Sequence, residues 1–311
     1  MQRYIVRRLI QAFFTLFMVS LIVFVLGRLT GDPVALLLSE YSTQEDRAVL
    51  AQQLGLDKPL AEQYLIFLSN AARGDLGRSI RGDRSPALGM VLERLPASVE
   101  LAGLSVIVSL LVGIPLGVLS AVKKGSLLDT ALRVVALAGQ SAPVFWLGIV
   151  AMYFFSVQLR LLPSAGYGRP EHFVLPVFAM SCFMVAAFLR LTRSSMLEVI
   201  DSEFIKLAKI KGLSNTTVVW KHALRNSLIP VITFTGTVLG RMIAGSVVIE
   251  TIFAWPGIGR LAYEAVMQRD FPVLQAVVLV IAAMFLFVNL AVDVLYAFVD
   301  PRVRYGNGSS H

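Results

Sequence analysis

Two ionisable residues of this chain lie where a charge is costly. Arg241 sits inside a long apolar segment, residues 228–249, and Asp293, with Asn289 one turn before it, closes another, 274–292. Within a lipid-spanning helix such groups line polar pathways, relay ions or pair with a neighbour. Asp293 lies near the end of its segment, which points to a structural role. Arg241 lies deeper and fits two readings: a lining or gating residue of a polar pathway, or a structural arginine that snorkels or is ion-paired. Side chains that run hydrolytic or metal chemistry are not gathered anywhere. His172, His222 and His311 are scattered, and no His, Cys and carboxylate group has metal-ligand spacing. No G-x-x-x-x-G-K-[ST] occurs, so the chain has no phosphate-binding loop of that kind. No G-x-S-x-G elbow presents a nucleophile. The single cysteine, Cys182, allows no disulfide within the chain and reads as a small apolar side chain. The sequence does not read as an enzyme, and no cofactor or metal is expected on it.

Long apolar helices must position these residues. The chain has 311 residues, 56% apolar and only 15% charged, with mean hydropathy +0.73; a soluble domain carries about 25% charged residues. The apolar residues fall in runs over 10–26, 101–122, 134–157, 173–189, 228–249 and 274–292. Each approaches the roughly 20 residues that cross a hydrocarbon core. The expected fold is therefore an all-α membrane protein with six transmembrane helices. Gly139, Gln140, Ser141 and Pro143 interrupt the third run, and Pro115 should kink the second. Gly113 with Gly117, and Gly236 with Gly240, have the four-residue spacing that lets helices approach closely. The basic start and apolar run of the N-terminus resemble a signal peptide, but the run is long and residues 27–30 offer no small-x-small cleavage site, so it reads as an uncleaved first span.

The net charge of +8 is explained by sidedness and calls for no nucleic acid. Fifteen Lys and Arg fall on one side: Arg3, Arg7 and Arg8; Lys123, Lys124 and Arg133; seven between Arg190 and Arg225; and Arg302 and Arg304. The short loops opposite carry only Arg160, Arg169, Arg260 and Arg269. The positive-inside rule then places both termini in the cytoplasm.

Two segments outside the spans are longer than turns. The first, 31–98, is expected to be an extracytoplasmic helical cap, with one helix opening at Thr43 and closed by Gly55 and Pro59, and another from Leu60 to Ala72 ended by Gly74. The Arg-Gly-Asp tripeptides at 73–75 and 81–83 are chance matches. The second segment, 193–227, is expected to be a cytoplasmic helical hairpin. One helix covers 203–211, Gly212 suits a left-handed C-terminal cap, Ser214 suits the next N-cap, and a second helix covers 215–224. The organisation is thus 1–30, N-terminus and first span; 31–98, outer loop; 99–300, core including the loop 195–228; and 301–311, a cytoplasmic tail whose end, 306–311, is of low complexity.

The hairpin carries a resemblance. Residues 206–214 read KLAKIKGLS and residues 222–230 read HALRNSLIP. Together they are similar to the EAA loop of binding-protein-dependent ABC importer permeases, and most to the dipeptide/oligopeptide/nickel branch. The likeness covers nearly the whole chain, through R-Y-x-x-R-R-L at 3–9, G-D-P at 31–33, and segments 54–59, 74–79, 93–100, 143–147, 189–198, 253–260, 269–272 and 289–305. The general pattern opens with Glu-Ala-Ala where this chain has Lys206, Leu207 and Ala208. It ends in I-x-L-P where this chain has His222, Leu224 and Arg225, with the proline later at Pro230. The peptide branch shares the changes at the end of the loop.

What the resemblance implies is a transport subunit. Such a permease pairs with a second related permease, two ATP-binding cassette subunits carry the ATP and Mg, and an extracytoplasmic solute-binding protein delivers the solute. The solute would be a short peptide, the alternatives being a nickel chelate, glutathione or an opine, or, outside the family, a stand-alone secondary carrier. The location implied is a bacterial inner membrane. The residues implied in ATPase coupling are Ala208, Lys211, Gly212, Leu213, Ser214, His222, Leu224, Arg225, Asn226 and Pro230. Arg241, Glu250, Trp255, Pro256 and Gly257 are the candidates for the pathway or its outer gate. From the residues alone, 253–260 reads as a Pro-Gly turn anchored by an interfacial tryptophan.

Overall fold

The computed structural model describes residues 2–30, 43–53, 55–81 and 84–299. The G-D-P segment 31–33, Leu54, Gly82, Asp83, Arg302, Arg304 and the tail 306–311 lie outside the described residues, as do the side chains of Leu50 and Asp293. Among the described residues, helices are the only extended regular structure, with an isolated bridge between Arg78 and Pro86. The helices are α1 Gln2–Thr30, α2 Gln44–Gln53, α3 Leu60–Ala72, α4 Ala87–Val122, α5 Leu127–Ser141, α6 Val144–Met152, α7 Pro170–Ile200, α8 Glu203–Ile210, α9 Leu224–Gly245, α10 Val247–Ile252, α11 Ile258–Gln268 and α12 Phe271–Val299. The described parts of Met1–Ala97 and Pro256–Phe287 form one compact unit, and those of Ser98–Trp255 and Val288–His311 form a second.

Among the described residues, four helices are long and apolar enough to cross a membrane: Val6–Leu29 within α1, then α4, α7, and Phe271–Val292 within α12. A fifth candidate is the pair Leu127–Ser141 and Val144–Gln158, bent by 98°. Here the expected third span is not straight. Pro143 has no amide hydrogen to give and drives the residue before it out of the helical region; Ala142 accordingly sits at φ −77°, ψ 128°. The expected fifth span, α9, is not among these apolar candidates. The side chains of residues 243–245 at its end lie outside those described. Its 22 residues are nonetheless about 33 Å long. Thr233 and Thr235 return their hydroxyls to the carbonyls of Ile229 and Val231, at 3.0 and 2.8 Å, so these polar side chains are satisfied inside the helix.

Two helices run past the bounds of the segments read from the sequence. The segment expected outside, 31–98, ends inside a helix, since α4 starts at Ala87. Glu93, Arg94 and Glu100 break the apolar run without breaking the helix. At 36 residues α4 is about 54 Å long, well beyond the roughly 30 Å hydrocarbon core, so one end can carry charge. The second hairpin helix was expected to stop at 224. Instead Asn215–Thr217, a π-helical turn Val218–Ala223 and α9 follow without a break, and Pro230 lies inside α9. The π turn carries the chain from hairpin to span with no stop signal between.

In the first unit, α3 packs on α1 through Phe17, Phe24, Tyr64 and Phe67, with Ser20 and Tyr64 hydrogen-bonded at 2.8 Å. Ser79 donates to Asp270, which precedes α12, and Glu264 holds both Arg94 and Arg260, at 2.9 and 2.8 Å. The second unit is built around α7. Phe188 and Met184 pack with Val106 and Val231, and Ala186 and Leu189 pack with Ala136. Lipid is as apolar as a leucine side chain, so helices associate in it by close packing. The Gly113 and Gly117 pair does this: a Cβ on Gly113 would lie 2.7 Å from the Phe188 Cβ, and one on Gly117 2.6 Å from the Thr192 Cβ. Gly117→Leu is therefore expected to push α4 from α7 and cost about 1–3 kcal/mol, read as a lower midpoint of unfolding in mixed micelles. Unchanged stability would show that the contact is not tight.

Candidate functional site

The hairpin is set by local chemistry. Ile210 and Lys211 end α8, and Gly212 takes φ +77°. The Gly212 amide bonds the Lys209 carbonyl at 3.0 Å and the Leu213 amide bonds the Ala208 carbonyl at 3.4 Å. This pair is the Schellman arrangement, which needs a left-handed residue where the glycine stands. Ser214 then accepts from the Thr217 amide at 3.3 Å, the expected N-cap.

The helix α8 has two apolar stripes. Ile205 and Ala208 face the body of the unit, in a cluster with Val118, Ala121, Met196, Val218 and Ala223. Phe204, Leu207 and Ile210, spaced three apart, share another face and are 45%, 56% and 80% exposed. Leu213 at 42% and Trp220 at 45% add to the exposed apolar surface of the hairpin. The other expected coupling residues fall on the same hairpin and the start of α9. Leu224 is partly buried against the cluster, His222 is half-buried, and Lys211, Arg225, Asn226 and Pro230 are exposed. Asn226 donates to the His222 carbonyl at 2.8 Å.

Sequence reasoning missed the group that holds the base of this hairpin. Asp129, with a side chain 1% exposed, accepts from Arg193 Nε and Nη2 at 2.8 and 3.0 Å, from Ser120 Oγ at 2.6 Å and from the Gly125 amide at 3.0 Å. Arg133 lies 3.6 Å away. Four peptide segments thus meet on one carboxylate: the end of α4, the α4–α5 turn, α5 and α7. Arg193 had been read only as part of the positive-inside count. The signal available was Ser126 followed three residues later by an acid just ahead of an apolar run, a helix-start pattern. Ser126 does cap α5, accepting from the Asp129 amide at 3.2 Å.

Of the expected gate residues, Glu250 and Trp255 lie together in the second unit, the Trp255 amide bonding the Glu250 carbonyl at 2.8 Å. Glu250 in α10 is buried and accepts from Ser98 and Ser246 at 2.7 and 2.6 Å. Trp255 is fully buried, with its ring edge-on to Tyr167 at 4.9 Å and Phe173 at 4.6 Å. Edge-on aromatic pairs of this kind add to what burial of the indole contributes. Tyr167 donates to Glu100 at 2.8 Å, and that bond to a carboxylate holds its phenol pKa above the ordinary value. Pro256 and Gly257 belong to the other unit, where Gly257 is the extended residue before α11. Arg241 lines a cavity of about 580 Å³ within the second unit, together with Gln140 and Arg190. Most of the remaining wall is apolar, from Phe145, Met180, Met184, Phe234 and Met242 among others.

Residues 113–305 match the family described as binding-protein-dependent transport system inner membrane component, and residues 1–102 match the N-terminal family of the same membrane components. The chain is 38% identical to a glutathione transport system permease protein of Escherichia coli, over 98% of this chain and 100% of that protein. It is 36% identical to an oligopeptide transport system permease of Bacillus subtilis and 35% identical to a dipeptide transport system permease of Alkalihalophilus pseudofirmus, with the same coverages. Among solved structures, the inward-facing MetNI methionine ABC transporter aligns with a TM-score of 0.58 at 17% identity, over 68% of this chain and 96% of that one, which is a likeness of fold.

Proposed function

The chain belongs to the family of binding-protein-dependent transport system inner membrane components, and on that premise we propose that it is the transmembrane subunit of an ATP-driven importer of short peptides. It forms the solute pathway with a second, related permease. Two ATP-binding cassette subunits hydrolyse ATP with Mg at their own sites, and an extracytoplasmic binding protein delivers the solute. The chain crosses the bacterial inner membrane six times, with α9 as the span beyond the five apolar candidates, and both termini are cytoplasmic. The part that folds outside is 31–98, with the first turns of α4 included in it.

The observation that carries the coupling role is the second apolar stripe of α8. A short, basic hairpin that already buries Ile205 has no internal use for Phe204, Leu207 and Ile210 on another face. An exposed apolar face of this kind is what a partner protein covers. The cluster behind it ties the hairpin to α4 and α7, so a push on the hairpin is delivered to two spans. A glutathione importer of the same family is the second reading, because a glutathione transport permease is among the relatives; competition between labelled dipeptide and glutathione for uptake separates the two.

Gly212→Val tests the lever. No other atom lies within 4 Å of the position a Cβ would take, so the substitution strains only the left-handed backbone, by about 1–2 kcal/mol, and the chain still folds. Uptake is expected to fall at least about tenfold while ATP hydrolysis continues. Unaltered ATP-driven uptake would reject the lever. Failure of any ATPase subunit to co-purify with the unsubstituted chain in mild detergent would reject the importer.

A further inference from the structure

We propose that the cavity lined by Gln140, Arg190 and Arg241 receives the carboxylate end of the solute on its way through this chain, with Arg190 and Arg241 as the residues that bind it. The inference rests on the importer reading and adds to it a class of ligand and a place. Arg190 comes from α7 and Arg241 from α9, so two separate helices bring cationic groups to one cavity. Among the described residues neither arginine has an acidic partner within ion-pair distance. Both guanidinium groups are exposed beside a largely apolar wall that contributes no acidic side chain, so an oxyanion entering the cavity can reach them. Guanidinium binds a carboxylate through two parallel hydrogen bonds, a stronger and more directed contact than either makes with a neutral carbonyl.

The rest of the wall fits a solute with variable side chains. Met180, Met184 and Met242 contribute to it, and methionine is unbranched and adapts to many shapes. The volume, about 580 Å³, lies inside the range of small-molecule sites. Two helix breaks border the cavity. Gln140 and Val144 stand either side of the bend at Ala142–Pro143, and Met242 and Val248 either side of the junction of α9 with α10. Interrupted helices are where transporters hold polar solute groups inside the membrane, because free backbone groups are available there. Arg241 thus resolves to a lining residue with a ligand.

The test uses the membrane complex that co-purifies with this chain, without the binding protein, in phosphatidylcholine nanodiscs. Leaving out the binding protein matters because it too can read a carboxylate. The probes are L-alanyl-L-phenylalanine and its C-terminal amide. The free acid is expected to bind at least about tenfold more tightly than the amide. Arg241→Gln and Arg190→Gln are each expected to remove that preference, with the melting temperature of the complex unchanged. Arg241→Lys should restore part of it. A wild-type complex that binds acid and amide equally, or variants that keep the full preference, would overturn the proposal. So would variants that instead lose phosphatidylglycerol retained in native mass spectrometry while peptide binding is untouched, since the oxyanion would then belong to a lipid. Uptake by cells carrying the whole importer is measured alongside. Dipeptide uptake without acid preference in the complex removes this inference and leaves the importer standing, whereas absence of both uptake and binding removes the importer reading as well.

Discussion

Arg193→Ala is expected to destabilise the chain by about 3–5 kcal/mol, the range for breaking a buried ion pair from one side. The partner left behind is a carboxylate with 1% of its side chain exposed. It keeps Ser120 and the Gly125 amide, but neither carries a full charge. Arg133 is half exposed and stands 3.6 Å away, so it offsets only part of the loss. Asp129→Ala is expected to cost less, because the guanidinium it strands is 21% exposed and can turn to water. Reversible unfolding in mixed micelles measures both, and the double variant should cost clearly less than the two single changes added together. Single-variant effects below about 1 kcal/mol would mean that the pair behaves as a solvent-screened contact. The consequence reaches function, because Arg193 lies on α7 shortly before the hairpin. A loosened α4–α5 turn should lower transport through poorer seating of α8 even in the fraction that folds.

Leu207→Glu combined with Ile210→Glu is expected to abolish association with the ATPase subunits while leaving the chain folded. Both side chains are more than half exposed in the free chain, and the core-facing residues of α8 are Ile205 and Ala208. Apolar anchors at the centre of an interface commonly contribute 2 kcal/mol or more, about a thirtyfold change in affinity. Two acids in their place add a desolvation cost. The measurement is the ratio of ATPase to permease after purification in mild detergent, with ATP-driven uptake beside it. Ile205→Ala serves as the contrasting variant, since it should lower stability through a cavity in the cluster. Full retention of the ATPase in the double variant would place the docking surface elsewhere.

The spans and the hairpin were legible in the sequence for local reasons. Apolar runs near 20 residues report lipid directly, and α1, α4, α7 and α12 follow them. Gly212 and Ser214 announce a turn because a left-handed cap and a side-chain cap are satisfied within a few residues. The resemblance in 206–230 reached the same hairpin by another route, and the family match agrees with it. Boundaries were less legible. Hydropathy marks where lipid begins, not where a helix begins, so α4 starts 14 residues ahead of the uncharged run that opens at Leu101. The run from the hairpin into α9 was hidden because no sequence signal separates a π turn from a helix end.

By itself the sequence determined the solvent, the approximate spans and the one sharp reversal, all properties that depend on composition or on neighbours along the chain. Tertiary structure alone decided which charges meet. Asp129 and Arg193 are 64 positions apart, and only the packing of α5 on α7 puts them together. Nothing along the chain relates Trp255 to Tyr167 and Phe173, yet the fold lays both rings against it. Arg190 and Arg241 carry nothing in their sequence contexts that relates them, yet α7 and α9 bring both to one apolar cavity. The physical reason is the same each time: the free energy of a charge or an indole is set by what surrounds it in three dimensions, and hydropathy along the chain does not contain that information.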